Sequence, residues 1–172
     1  VEHYYMDTAG NYPDKPSVAE DLTPYYGETL VHKNLAREIK GLSFNENKTI
    51  QENGNRTQTE VKGNTTVRLY YDRTVCTVTY DYRTNGGTSA DQETVKTYYG
   101  ADADLSVTAN KNGWEHAGWN TKSDSGTGLT RYTVTGNVTL YAVYRKDITV
   151  TFVDFAQTYK REGSMYNNDT YA

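Results

Sequence analysis

The chain has almost nothing with which to cross-link itself. Its single cysteine, Cys76, leaves no partner for an intramolecular disulfide and no thiolate set for a metal. Cys76 lies in the alternating run Val75-Cys76-Thr77-Val78-Thr79-Tyr80 and reads as a small reduced strand residue, with an intermolecular bridge or a reactive thiol as the alternative. Basic blocks are also missing. With 18 Lys and Arg against 22 Asp and Glu, the net charge is −4, and no positive stripe stands ready to meet nucleic-acid phosphates. The apolar runs are only a few residues long, so none spans a bilayer. There is no initiator Met, signal peptide or sorting tail, and the chain reads as a piece of a longer protein.

Catalytic and metal-binding constellations are lacking too. His3, His32 and His116 lie far apart, whereas metal ligands come as close pairs with supporting carboxylates, so each reads as a solvated or capping histidine. Ser125 and Ser164 have no evident His and acid partners, and there is no nucleophile elbow. Asp102 and Asp104, like Asp91 and Asp124 at a distance, lack calcium-loop spacing, and a helix N-terminal role suits Asp102 and Asp104 better. Asn85-Gly86-Gly87 is a hairpin signal with no Lys or helix start behind it to make a phosphate loop. The sequence therefore predicts no catalytic, cofactor or metal residues, names no ligand-binding residue, and reads as non-enzymatic. The sequons at Asn47, Asn55, Asn64, Asn137 and Asn168 follow from a Thr- and Asn-rich composition.

What is present is tyrosine, 17 of 172 residues, together with Thr and Val, all types that favour a pleated, half-buried surface. Disordered segments are poor in those types. They are also arranged twice. Val61–Tyr71 (VKGNTTVRLYY) recurs as Val134–Tyr144 (VTGNVTLYAVY), and Tyr25-Tyr26-Gly27 recurs as Tyr98-Tyr99-Gly100, both at a shift of 73 residues (134 − 61 = 98 − 25 = 73). A period of this length is a whole small domain rather than a solenoid turn. It predicts modules at residues 1–74 and 75–147, with 148–172 as the truncated start of a third that cannot bury a core alone.

Along the first module, Val1–Asp7 reads as an opening strand and Ser17–Tyr26 as a second. Leu30, Leu35 and Ile39 at near-helical spacing, with Gly41 beyond them, predict one short helix. Leu42–Phe44 reads as a third strand, Asn45–Glu60 as a polar loop or weak hairpin turning at Asn53-Gly54, and Asn64–Asp72 as the closing strand. In the second module Val75–Arg83 and Gln92–Tyr99 form a hairpin, Ala101–Lys111 occupies the helix position as a ragged turn, Trp114–Thr121 is a third strand, and Val138–Arg145 closes. Ile148–Asp154 would open the next copy.

Trp114-Glu115-His116-Ala117-Gly118-Trp119, the Gly-rich loop Ser123–Gly128, the VTGNVTLYAVY strand and the opening VTYDYRTNGG resemble the Listeria–Bacteroides repeat, also called the internalin B-repeat. Residues 1–74 resemble the mucin-binding-protein repeat through His3-Tyr4-Tyr5-Met6-Asp7 with Gly10, the segment Ala36–Gly41 and the closing strand to Tyr71, although they lack the Ala-Gly-Trp signature. The resemblance implies an α+β fold of tandem β-grasp (ubiquitin-like) modules, each a strand-dominated mixed sheet with one short helix. It also implies a place on the extracellular, cell-wall-anchored surface of Gram-positive bacteria, with no catalysis.

Two roles follow from that resemblance. One is a semi-rigid stalk or spacer that presents an adhesive domain, its neighbouring repeats being its partners. The other is an adhesion module for host mucin, a glycan or a cell-surface protein. The pairs Tyr4-Tyr5, Tyr70-Tyr71 and Tyr98-Tyr99 would send one ring to each face of a strand, where outward rings could stack on sugars or pair across strands. An autocatalytic Lys–Asn isopeptide bond would need a Lys, an Asn and a buried carboxylate brought together in a core, and Lys62 and Lys96 are the strand-borne Lys candidates.

Overall fold

A computed structural model describes residues 1–88, 92–153 and 158–166. The chain divides into two compact units, Val1–Val75 with Tyr98–Ala101, and Cys76–Thr97 with Asp102–Ala172. Asp91 and Asn168 lie outside the described residues, as does the side chain of Ser164.

Unit 1 is a four-stranded sheet in which β1 (Glu2–Tyr5) and β6 (Arg68–Arg73) run parallel at the centre, flanked by β2 (Val18–Ala19) and β4 (Leu42–Phe44), both antiparallel. A separate two-stranded sheet joins β3 (Thr29–Val31) to β5 (Gln58–Glu60). The core forms where alternate residues of β6 point inward. Val67, Leu69 and Tyr71 are buried there against Leu30, Leu35, Ile39 and Phe44.

The helix of unit 1 is not where apolar spacing put it. The stretch from Leu30 forms only a 3₁₀ turn, His32–Leu35, because Val31 offers no side-chain cap and Ala36 is already extended at φ −69°, ψ 144°. Gly41 ends no helix and instead makes the positive-φ turn (φ 78°) between Ile39 and Leu42. The α-helix, α1, is Glu46–Glu52, inside the segment read as a polar loop. Asn45 caps it by accepting from the Lys48 amide at 2.8 Å, and Lys48 pairs with Glu52 four residues on.

Unit 2 repeats the strand order. β7 (Val75–Asp81) and β10 (Val138–Val153) are parallel at the centre, β8 (Glu93–Tyr98) lies beside β7, and β9 (Glu115–Asn120) runs antiparallel to β10. The far half of β10 pairs with β11 (Thr158–Tyr166). The expected closing strand and the expected opening of a third copy are thus one 16-residue strand. No α-helix forms among the described residues of this unit, so one helix per module does not hold, and the architecture is mostly β with mixed sheets.

The 73-residue shift survives in three dimensions. Thr29 pairs with Glu60, and the residues 73 further on, Asp102 and Thr133, form an isolated bridge. Buried Val61, Val67, Leu69 and Tyr71 map onto buried Val134, Leu140, Ala142 and Tyr144. The parallel register departs from it. Tyr5 faces Tyr71 and Val78 faces Val138, separations of 66 and 60 residues (71 − 5, 138 − 78), so the opening strands are offset by six more positions than the closing ones.

Candidate functional site

Parallel register makes Tyr4 the partner of Tyr70 and Tyr5 the partner of Tyr71. On one face Tyr4 and Tyr70 stack at 4.8 Å with Tyr12 edge-on to Tyr70, and on the other Tyr5 meets Tyr71 edge-on at 5.3 Å. Tyr4, Tyr70 and Tyr71 are buried. The outward rings that could have stacked on sugars are therefore spent on cross-strand pairing. Burial, and then a hydrogen bond to the Asp72 carboxylate, hold the Tyr12 phenol far above its ordinary range, while burial and Glu93 push Tyr82 up to about 12. These phenols are neutral donors at physiological pH.

The histidines are interior groups, not the solvated or capping residues expected. His3 is fully buried, with Nδ1 2.9 Å from the Tyr71 hydroxyl and Nε2 2.8 Å from Glu20, which also pairs with Arg37. That chain of groups resembles a relay, but the hydroxyl at its end is enclosed and cannot meet a substrate. The hydrogen bond from His3 holds the Glu20 carboxyl below its usual range. His32 is buried 2.9 Å from Thr59, and His116 lies edge-on to Trp119; burial pushes both imidazoles down. Among the described residues, no group of three His, Cys, Asp or Glu could hold a metal ion.

Other candidates resolve into local structure. Asp102 accepts from Thr133 and Arg131 and so ties down its bridge to Thr133, while Asp104 accepts from Ser106 two residues on, and neither starts a helix. Ser125 bonds Thr127. Lys62 is exposed beside Glu60 and Lys96 is exposed on β8, so neither reaches a core for an isopeptide bond. Cys76 is free and buried in β7.

The Ala-Gly-Trp signature has a packing reason. Trp119 is fully buried, edge-on to Tyr80 and Tyr82 at 4.9 and 5.3 Å, and its indole N–H donates to the Val107 carbonyl at 2.6 Å. Gly118 (φ 111°) and Gly128 face each other so closely that a Cβ on Gly128 would overlap the backbone of Ala117 and Gly118. The Gly-rich loop is thus a lid whose backbone rests on β9. Gly87 is similarly wedged between the Tyr82 carbonyl and the Tyr144 hydroxyl, which fixes the Asn85-Gly86-Gly87 turn.

Residues 77–143 match the family described as the Listeria-Bacteroides repeat domain. The match takes in β7 to the middle of β10 and includes Trp119, Gly118 and Gly128. No curated protein and no solved structure matches the chain.

Among the described residues, the most exposed aromatic feature was legible only as a repeat marker. Tyr25 and Tyr26 are 85% and 80% exposed, on a turn closed by the Glu28 amide to the Tyr25 carbonyl at 3.1 Å. Beside it lies an open cleft of about 390 Å³, lined by Leu22, Pro24, Leu30 and residues of the 61–67 segment.

Proposed function

We propose that this chain is a non-catalytic repeat segment of a bacterial cell-surface protein, acting as a semi-rigid spacer built from tandem β-grasp modules. The observation that carries the reading is the lack of linker. Thr74 alone separates β6 from β7, and β10 runs through the next junction as one strand. The match of residues 77–143 to a repeat family supports the repeat part, and the order second, opening, closing, third strand in both units supports β-grasp. Cell-wall anchoring and a Gram-positive origin, like the mucin-binding character of residues 1–74, rest on the sequence resemblance.

Small-angle scattering tests the spacer. A flexible Gly-Ser insert after Thr74 should broaden the distance distribution. An unchanged profile would show that the native junction is already flexible and would sink the reading. Exposed Tyr25 and Tyr26 favour a second reading, an adhesion module for host mucin or glycan. Saturable binding to immobilised mucin, lost in Tyr25→Ser/Tyr26→Ser, would establish it in place of the spacer.

A further inference from the structure

Asparagine followed by glycine occurs three times, at Asn53-Gly54, Asn85-Gly86 and Asn112-Gly113. The pair carries a chemistry of its own. The glycine nitrogen, unscreened by a Cβ, attacks the asparagine side-chain carbonyl carbon, Cγ. A new C–N bond forms, the Cγ–Nδ2 bond breaks, and the side-chain nitrogen leaves as ammonia with the glycine's amide proton. The cyclic imide left behind takes up one water at either carbonyl and opens to aspartate or isoaspartate. The step needs an unrestrained side-chain amide, an unrestrained glycine N–H and open space beside the glycine.

The fold withholds these conditions from two of the three pairs. Asn53 is held by both atoms of its amide, Nδ2 donating to the Thr49 and Arg68 carbonyls, both at 2.7 Å, and Oδ1 accepting from the Arg68 amide at 3.0 Å. Attack on its Cγ would break all three bonds. Asn85 donates from Nδ2 to the Ala142 carbonyl at 2.8 Å. Its nucleophile is tied down as well, since the Gly86 amide donates to the Arg83 carbonyl at 2.7 Å.

Asn112 differs on every count. It is exposed, in the two-residue turn that bridges Lys111 and Trp114 and is closed by the Trp114 amide donating to the Lys111 carbonyl at 3.0 Å. Among the described residues neither its side chain nor the Gly113 amide makes a hydrogen bond. Gly113 sits at φ 73°, and nothing lies within 4 Å of a Cβ placed on it, so the space beside the nitrogen is open.

We propose that Asn112-Gly113 is a self-modifying site, which converts through the cyclic imide to isoaspartate and thereby opens the turn that feeds β9. Isoaspartate routes the main chain through Cγ and adds one carbon to a two-residue turn. The Trp114 amide then loses its place opposite the Lys111 carbonyl. The product also sets a carboxylate next to Lys111, whose ammonium lies 4.1 Å over the Trp114 ring and 5.4 Å over that of Tyr144.

The test incubates the whole folded chain in mildly alkaline buffer beside the same chain in guanidinium. Peptide mapping follows the mass gain at each site, with fragmentation that separates isoaspartate from aspartate. In guanidinium the three pairs should convert at similar rates. In the folded chain Asn112 should lead Asn53 and Asn85 by at least several-fold, with isoaspartate among its products. Equal rates in the folded chain overturn the proposal, as does a lead by Asn53 or Asn85. So does an Asn112 that stays intact while the denatured chain converts. Asn112→Gln, whose longer side chain closes the imide slowly, should abolish the gain and keep the Trp114 amide slow to exchange with deuterium. The aged parent chain should exchange there several-fold faster, and equal exchange in the two overturns the opening of the turn.

Discussion

Both units satisfy the outer edge of their closing strand, and they do it with different chemistry. In unit 2 the edge of β10 is met by a full strand, β9, over five residue pairs from Tyr141↔Asn120 to Arg145↔Glu115. In unit 1 the corresponding strand, β4, pairs only from Arg73 to Tyr71 before the chain turns into α1. One face of that helix then continues the ladder. The Asn45 amide donates to the Tyr70 carbonyl at 2.8 Å, the Tyr70 amide donates to the Thr49 hydroxyl at 3.0 Å, and the Asn53 side chain both accepts from and donates to the Arg68 backbone. Residues 45, 49 and 53 recur every four positions, so they line one helix face, and the Asn45 amide with the Thr49 and Asn53 side chains stands in for a strand. A backbone edge needs donors and acceptors in register, not necessarily another backbone.

The largest expected break in this comparison is Trp119→Ala, which empties the centre of unit 2. It should cost about 3–5 kcal/mol. Hydrogen exchange should speed up at the amides of β10 and stay slow at those of β1 and β6. Next come two tight glycine turns, Gly41 (φ 78°) between Ile39 and Leu42 and Gly113 (φ 73°) between Lys111 and Trp114. Gly113→Ala should cost about 1–2 kcal/mol for a non-glycine residue at positive φ. Gly41→Ala adds displacement of the Tyr99 ring, about 1–3 kcal/mol more, and chemical denaturation of both variants compares them. Thr49→Val keeps the volume but strands the Tyr70 amide. It should destabilise unit 1 by about 1–3 kcal/mol, and no single side-chain change could do the same along the β9 edge.

The smallest effect is that of pH. Burial depresses the folded-state pKa of His32 in unit 1 and of His116 in unit 2. The unfolded chain therefore takes up protons first, so the stability these rings carry is present above about pH 6.5 and falls as the pH drops below it. Melting temperature followed from about pH 7.5 to 5.5 should decline, and His32→Gln should flatten the decline for unit 1 alone. A melting curve that rises on acidification would contradict both burials.

Much of the sheet was legible because its strands alternate. Val75–Asp81 announces itself by period two, and the closing strands by their repetition. α1 was not legible because apolar periodicity is the usual helix signal and Glu-Asn-Lys-Thr-Ile-Gln-Glu has one strongly apolar residue. Its buried face is Thr49, a polar residue whose value lies in the hydroxyl it offers β6. The signals that could have found it were local: Asn45 as cap, Glu46 in the first turn, and the Lys48–Glu52 pair. Tyr25 and Tyr98 show another limit. The two Tyr-Tyr-Gly turns have glycines at φ 84° and 86°, yet Tyr25 stands in solvent while the Tyr98 ring lies against Gly10, and a one-dimensional repeat does not carry that information. The tyrosine pairs of β1 and β6 failed as ligand candidates because both faces of that sheet are occupied, Tyr70 by Tyr12 and Lys48, Tyr71 by His3 and Phe44.

In each unit the strand that enters and the strand that leaves lie side by side and point the same way, β1 with β6 and β7 with β10. Tension on the chain therefore drags the two strands past each other along their length. The bonds between them are loaded in shear and must yield together, whereas an antiparallel hairpin pulled from its open end would unzip one bond at a time. Each four-residue parallel pair is in effect a mechanical clasp, strongest when the chain is pulled along its strands.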